Sequence, residues 1–362
     1  MDYACVVVGA GIHGLCTAFW LHQLGVRPVL VLERGESGHG QGSSHGATRI
    51  TRSSYDDPHF VALARRAHQA AWPQLERVLG RALRLPTPGV FFGPADGPLA
   101  GYAATTRAAG VAVEPLAVAA ARTHFPLLRF DDDDAVLLDH TAAVVLAGAT
   151  MAGLREWLVA HDVALEFATQ VLAVEPSDRG VTVRTATART GARHAVLACG
   201  AWTSQLADAA PPLVVLRQEV GWFELAAPPA ATAAGTFPVW ARIGRTAEDF
   251  VYGLPAVANE GVKLARHRTT GPGIDPDATP PAIDAAALSQ LAAQRFAVPV
   301  LRAQAPDRCL YTMTADQRFS VATDRVRHCT TIAACSGHAF KFGPVIGHDA
   351  AQAVVAALES GA

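Results

Sequence analysis

The chain almost lacks lysine: of its 30 lysine and arginine residues, only Lys263 and Lys341 are lysines. A GC-rich genome produces such a bias. Under it, a retained lysine marks a place that needs a compact charge or an amine able to lose its proton, which arginine cannot supply. Runs of basic residues are also missing, and the formal net charge is -2. That argues against nucleic acid or an anionic membrane as a partner. No apolar run approaches the ~20 residues of a transmembrane helix. The six cysteines (Cys5, Cys16, Cys199, Cys309, Cys329, Cys335) show no CxxC spacing, so reduced thiols in the cytoplasm are expected rather than a disulfide framework. Met1-Asp2-Tyr3-Ala4 has no basic stretch ahead of its apolar run, which argues against a signal peptide. Ser360-Gly361-Ala362 carries no peroxisomal address.

What is present is a large apolar fraction, 50% of 362 residues. That exceeds what one core usually serves, so two domains are expected. Tyr3 to Val8 reads as a strand buried on both faces. Gly9, Gly11 and Gly14 follow with Gly-x-Gly-x-x-Gly spacing, and Ile12 and His13 fill the turn. Leu15 to Leu24 reads as a helix ended by Gly25, and Val29 to Leu32 as a second strand ending at Glu33. Gly9 permits the tight turn, Gly11 lets the backbone approach a pyrophosphate, and Gly14 lets the helix pack on the sheet. The helix N-terminus offers N–H groups to phosphates. Glu33, 19 residues beyond Gly14, can accept ribose hydroxyls and disfavours a 2′-phosphate. The side chain of His13 is expected to point outward. This βαβ unit specifies a dinucleotide and by itself leaves FAD and NAD open.

Further on, Pro58 to Leu83 reads as an amphipathic helix and Gly89 to Phe92 as a strand. Leu99 to Gly110 and Met151 to His161 read as helices. Val163 to Glu175 and Gly180 to Thr187 read as strands about a turn at Pro176 to Arg179, and His194 to Ala198 as a buried strand. Mixed strands and loops are expected from Val214 to Leu310, including a Pro/Asp-rich loop at Gly271 to Pro281. A strand at Thr330 to Ala334 and a helix at Val345 to Leu358 complete the chain. No internal repeat is present. The four acids Asp131 to Asp134 are adjacent and cannot all face one ion, so a solvated loop is expected there and no metal.

The segment after Glu33 decides between the cofactors. Gly42-Ser43-Ser44-His45-Gly46-Ala47-Thr48-Arg49-Ile50-Thr51-Arg52 resembles the flavin-contacting loop of the monomeric sarcosine oxidase and N-methyltryptophan oxidase family, within the D-amino-acid-oxidase-like FAD enzymes. Three more stretches resemble the same family. They are Ala195 to Trp202, Tyr252-Gly253-Leu254-Pro255 through Gly261-Val262-Lys263-Leu264 to His267, and Cys309 to Thr314 with Ser336 to Phe342. The resemblance runs from residue 3 to about 358, nearly the whole chain.

It implies an α/β plus α+β chain: a Rossmann-like FAD-binding domain and a substrate domain on a mixed β-sheet. The expected FAD-binding domain is discontinuous, at 1–84, 141–214 and 315–362. The substrate domain is expected at 85–140 and 215–314. The implied FAD contacts are Gly9, Gly11, Ile12, His13, Gly14, Glu33, Arg34, Ser43, Ser44, Thr48, Arg49, Val171, Gly200, Trp202, Gly337, His338 and Lys341, with Cys309 forming a thioether to the flavin. Lys263 is the implied site of reaction with oxygen. Arg52 and Lys341 are the implied clamp on a substrate carboxylate, and Tyr252, His267 and Tyr311 the implied residues around its amine.

The residue types suit these roles. A thioether needs a thiolate, and a fixed cation stabilises charge developing on oxygen. An arginine can clamp a carboxylate with two parallel N–H bonds. His267 fits either a substrate contact or a structural histidine. The implied activity is oxidation of the C–N bond of an N-methyl, cyclic or other secondary, or primary, α-amino acid to an imine, with O2 reduced to H2O2, in a cytoplasmic monomer. One alternative is an FAD-dependent amino-acid dehydrogenase using another acceptor. Another is a redox-silent FAD-binding subunit, which would have no use for Cys309, Lys263, Arg52 and Lys341 together. The pocket walls are expected from Val214 to Ala247, with Phe223, Phe237, Trp240 and Arg242 as candidates.

Overall fold

The βαβ unit at the N-terminus organises the first of three sheets. The computed structural model describes residues 2–207, 210–258, 260–333 and 335–360. Met1, Gly361, Ala362 and Ala334, the last residue of the expected strand at Thr330, lie outside the described residues. Parallel strands Ala164–Glu166, Val29–Leu32, Tyr3–Val8 and Arg189–Leu197 lie side by side in that order. Arg189–Leu197 also pairs with Gly180–Thr185 along its first residues and with Cys329–Ala333 along its last. The hairpin Val171–Ser177/Gly180–Thr185 and the strand Ser320–Asp324 complete eight strands. The central strands are apolar because both faces are covered.

Helix Ile12–Gln23 packs against helix Gly343–Ser360 at very short range. A β-carbon at Gly343 would come within 2.4 Å of Ile12, and one at Gly347 within 2.6 Å of Cys16. The last helix therefore presents glycine one turn apart where it meets the first.

The second sheet has nine strands and is mixed. Its order is Val300–Ala303, Val214–Leu225, Val262–Arg266, Val251–Leu254, Val239–Arg242, Gly89–Pro94, Asp134–Asp139 and Val113–Leu116, with Asp307–Met313 also pairing to Val214–Leu225. Only Val239–Arg242 against Gly89–Pro94 is parallel among the described pairs. A small antiparallel sheet of Thr48–Thr51, Ala143–Leu146 and Arg84–Pro86 lies apart from both. The α/β plus α+β expectation, with a mixed second sheet, is what the chain adopts.

Several boundaries differ from the sequence reading. The helix expected from Pro58 to Leu83 ends at Leu79, because Gly80 takes the left-handed φ of +64° that closes a helix. It is also interrupted by a π turn at Ala67–Ala71, just ahead of Pro73, which has no N–H to continue the ladder. The strand expected from Val163 to Glu175 breaks into Ala164–Glu166 and Val171–Ser177, with Ala168 at φ +51° between them. Helix Ala285–Arg295, capped by the Asp284 carboxylate on the Ala287 N–H, went unforeseen inside the mixed region. Asp134 is not in a solvated loop: it begins a strand, is buried, and faces Arg242 at 3.9 Å. No metal-binding cluster occurs among the described residues. No described helix is long and apolar enough to cross a membrane.

Candidate active site

One elongated cavity of about 630 Å³ runs between the two large sheets, from Glu33 at one end to Lys341 and His267 at the other. At its first end the strand Tyr3–Val8 delivers Gly9 with φ +103°, where a β-carbon would sit 2.5 Å from the Ala198 carbonyl oxygen. Gly14 does not line the cavity; a β-carbon there would strike the Gly9 carbonyl at 1.8 Å. Helix Ile12–Gln23 begins at Gly11 without a side-chain cap, and the Ile12 N–H donates to Ser44 Oγ at 3.0 Å. Its first turn thus faces the cavity with N–H groups and the positive end of the helix dipole. Glu33 accepts the Ala10 and Gly35 N–H groups at 2.8 and 2.9 Å. Burial raises its carboxyl, and His39 with these N–H groups outweighs that, leaving it below the usual carboxylate range. His13 turns inward rather than outward: its ring lies by the Ala339 backbone, and burial pushes it down to about 4. Its Nε2 is buried with no partner among the described residues.

Arg34, Val171, Gly200 and Trp202 line the same end. Arg34 stacks on the Trp202 ring at 4.5 Å, and both donate to Asp277, at 2.8 and 2.9 Å. Asp277 belongs to the Pro/Asp-rich loop, so a segment from between strands of the second sheet reaches across to the first.

The middle of the cavity is ruled by Arg49. Its guanidinium donates to the carbonyls of Thr48, Ser43 and His45 at 2.8, 2.9 and 2.6 Å, folding the glycine-serine segment around itself. Ser43 Oγ in turn donates to the Leu310 carbonyl, beside Cys309. Burial pushes the Cys309 thiol up, while Arg49 and Lys263 pull it down. Lys263 projects from the strand Val262–Arg266, donates to the Thr48 carbonyl at 3.3 Å, and sits 5.5 Å from the Trp222 ring. Burial, then the charge of Arg49, pushes its amine down to about 7.

At the far end stand Arg52 and Lys341, both buried. Neither has a carboxylate partner among the described residues. Arg52 donates to the Ser54 carbonyl, and its guanidinium lies 4.2, 4.9 and 5.4 Å from the rings of Tyr55, Phe91 and Tyr102. Burial and the neighbouring Arg52 charge hold Lys341 well below the usual lysine range. His267 Nδ1 lies 3.2 Å from the Tyr311 hydroxyl, and burial, with Lys341 and Arg52 adding to it, pushes the ring down to about 3. Tyr252 lines the cavity beside them. Gly337, at φ +74°, lets Tyr311 pass: a β-carbon would lie 2.3 Å from its ring. His338 is neutral for the same reason as His267, burial first.

All the predicted site residues except Gly14 therefore meet along one cavity. The wall candidates do not. Phe223, Phe237 and Trp240 pack together in a core with Phe92 and Phe296, and Arg242 pairs with Asp131 at 3.0 Å. Side chains alternate along a strand, so Ala241 and Trp222 face the cavity while Trp240 and Phe223 face away. The walls come instead from Phe91, Tyr102, Ala241 and Phe250. Tyr55 also went unforeseen, although it lies three residues beyond Arg52.

The model of the DAO family, described as FAD dependent oxidoreductase, matches residues 4–353. The chain belongs to this family. This FAD dependent oxidoreductase is 30% identical to the peroxisomal sarcosine oxidase of Mus musculus, over 94% of its own length and 89% of the mouse protein. It is 28% identical to the N-methyl-L-tryptophan oxidase of Salmonella arizonae, over 97% of its length and 94% of that protein. The open form of NikD, an unusual amino acid oxidase essential for nikkomycin biosynthesis, superposes with a TM-score of 0.86 at 25% identity, covering 98% of this chain and 94% of that one. The chain is thus an FAD-dependent amine oxidoreductase of the sarcosine oxidase and N-methyltryptophan oxidase family, acting on C–N donors. The residues present fit FAD: the uncapped helix, Gly9 and Glu33 suit the ADP half, and Arg49, Lys263 and Cys309 line the same cavity of about 630 Å³.

Proposed function

We propose that this enzyme oxidises the C–N bond of a secondary α-amino acid, N-methyl or cyclic, or a primary one, and passes the electrons to O2. The observation that carries the proposal is the pair of buried basic side chains, Arg52 and Lys341, lining one cavity without a carboxylate partner among the described residues. A substrate carboxylate answers both. The bound amine must lose its ammonium proton to offer a lone pair, and two neighbouring cations favour that loss. The neutral imidazole of His267 and the hydroxyls of Tyr311 and Tyr252 accept or donate hydrogen bonds around that nitrogen. Bound FAD supplies the two-electron acceptor for the C–H being oxidised. Water then hydrolyses the imine.

In this reading Lys263 holds a positive charge where O2 is reduced to H2O2. Cys309 tethers the flavin, with Arg49 and Lys263 favouring the thiolate against burial. The FAD-binding domain is 1–84, 141–214 and 315–362, and the substrate domain is 85–140 and 215–314. The strand content of the two large sheets supports this division. The enzyme works as a cytoplasmic monomer. Six free cysteines support the reducing compartment.

Two measurements test the reading. Protein denatured in acid and run on a gel should fluoresce under ultraviolet light at the chain's own mass; free flavin in the supernatant refutes the tether. Peroxide release should be measured across N-methyl, cyclic and primary α-amino acids. Complete dye reduction with no oxygen consumed refutes the oxidase and supports a dehydrogenase.

A further inference from the structure

Asp139 ends the strand Asp134–Asp139 and is wholly buried, yet no cation pairs with it among the described residues. Its carboxylate instead accepts five hydrogen bonds from a single neighbourhood. One oxygen takes the N–H groups of Ser53 and Ser54 at 3.1 and 2.9 Å and the Ser54 hydroxyl at 2.5 Å. The other takes the N–H and hydroxyl of Thr141 at 2.8 and 2.6 Å. A buried charge is costly unless hydrogen bonds satisfy it, and here three of the five hold the two residues that follow Arg52.

His68 adds a second hold. It sits in the π turn Ala67–Ala71, with Nε2 2.6 Å from Thr51 Oγ1 and Nδ1 3.2 Å from Ser53 Oγ. Being neutral, it donates through one nitrogen and accepts through the other. Thr51 and Ser53 flank Arg52 and are both drawn toward His68, so Arg52 between them projects into the cavity. The Ser54 carbonyl that receives the Arg52 guanidinium belongs to the residue Asp139 grips most fully. Trp72, the residue after the π turn, donates through Nε1 to the Lys341 carbonyl at 2.8 Å. One interrupted helix therefore braces both cations.

We propose that Asp139 and His68 are positioning residues of the carboxylate clamp, holding residues 51–54 so that the Arg52 guanidinium meets the substrate carboxylate. The proposal rests on the reading of Arg52 and Lys341 as that clamp. Neither Asp139 nor His68 touches substrate. Both act from behind the chain, through the geometry of Arg52.

The test titrates the flavin-loaded enzyme with benzoate and with benzamide, following the flavin absorbance, and measures KM and kcat with a secondary amino acid. Asp139→Asn keeps the shape but replaces an accepting oxygen by a donating amide. Its benzoate Kd and its KM should rise about tenfold or more, with kcat within about threefold, since a small misplacement of a binding group is felt strongly. Benzamide binding should not change. His68→Leu should act the same way, while His68→Gln, which keeps a donor and an acceptor, should restore most of the affinity. If Asp139→Asn fails to fold, Ser54→Ala removes one of its bonds alone and should raise the benzoate Kd by roughly threefold or more. Unchanged benzoate binding in flavin-loaded Asp139→Asn or Ser54→Ala overturns the proposal, as does equal weakening of benzoate and benzamide. Arg52→Gln separates the two readings. If it binds benzoate normally, the clamp itself is wrong; if it loses benzoate while Asp139→Asn does not, only the positioning role falls.

Discussion

Lys341 Nζ donates to the Tyr55 hydroxyl at 2.9 Å, joining residues 286 positions apart. The same tyrosine ring lies 4.2 Å from the Arg52 guanidinium. One side chain thus sets the spacing of both cations in the proposed clamp. Tyr55→Phe keeps the ring and removes the hydroxyl. A hydrogen bond to a charged group contributes about 1.5–3 kcal/mol, so KM for an amino-acid substrate should rise by roughly tenfold or more. Steady-state kinetics at saturating oxygen checks this, and an unchanged KM would show that Lys341 needs no such anchor.

Lys341 also predicts a proton balance. Its pKa in the empty cavity is well below the usual lysine value, through burial and the charge of Arg52. A carboxylate favours the ammonium and raises that pKa. Binding of benzoate should therefore take up a proton when the pH lies between the two values, and affinity should weaken as pH rises through that window. Titration in two buffers of different ionisation enthalpy reads the uptake directly. Lys341→Met should abolish it.

The proposed oxygen step carries its own pH signature. Lys263 is pushed down to about 7, so it is cationic below that pH and neutral above it. The rate of flavin reoxidation by O2 should fall as pH rises through the Lys263 titration, at about 7. Lys263→Met should lower that rate by roughly a hundredfold or more, within the range that one well-placed charge contributes, and remove the inflection. Stopped-flow mixing of reduced enzyme with oxygenated buffer measures it. Reduction by substrate should change far less.

His267 makes the opposite prediction. At about 3 it remains neutral throughout the working range, so it cannot supply the acidic limb of kcat/KM. That limb should follow the substrate's ammonium group. His267→Asn should lower activity while leaving the limb in place, and a profile flattened by the substitution would contradict the neutral assignment.

The parts of the molecule legible in its sequence are those governed by local chemistry. Gly9, Gly11, Gly14 and Glu33 announce a dinucleotide site because each is required within one βαβ unit. The roles expected of Arg52, Lys263, Cys309 and Lys341 come from the family resemblance of the segments that carry them, and the cavity collects all four. What stayed hidden depends on direction and long-range pairing. Trp240 and Ala241 are neighbours in sequence, and which of them faces the cavity depends on the register against Gly89–Pro94, fixed some 150 positions away. Asp139 is one aspartate among many until the fold sets it behind Ser53 and Ser54. The π turn had a visible cause in Pro73, but its use in turning His68 toward Thr51 and Ser53 appears only in three dimensions.

The Pro/Asp-rich loop yields a last prediction. Asp277 accepts from Arg34, Trp202 and Gln205 at 2.8, 2.9 and 3.4 Å, and all three donors line the ADP end of the cavity. The loop therefore fastens the second sheet's segment across the cavity end that holds Glu33, the proposed ribose contact. The contacts are largely exposed, so Asp277→Ala should alter thermal stability little. If Cys309 tethers the flavin as proposed, Asp277→Ala alone should leave the flavin content unchanged. In a Cys309→Ser background, where FAD is held by non-covalent contacts alone, adding Asp277→Ala should weaken FAD binding by roughly threefold to tenfold, as expected for losing a charged hydrogen-bonded clasp at a surface. Flavin fluorescence released on dilution reads both variants. Equal retention of FAD in Cys309→Ser with and without Asp277→Ala would reduce the loop to a connection after all.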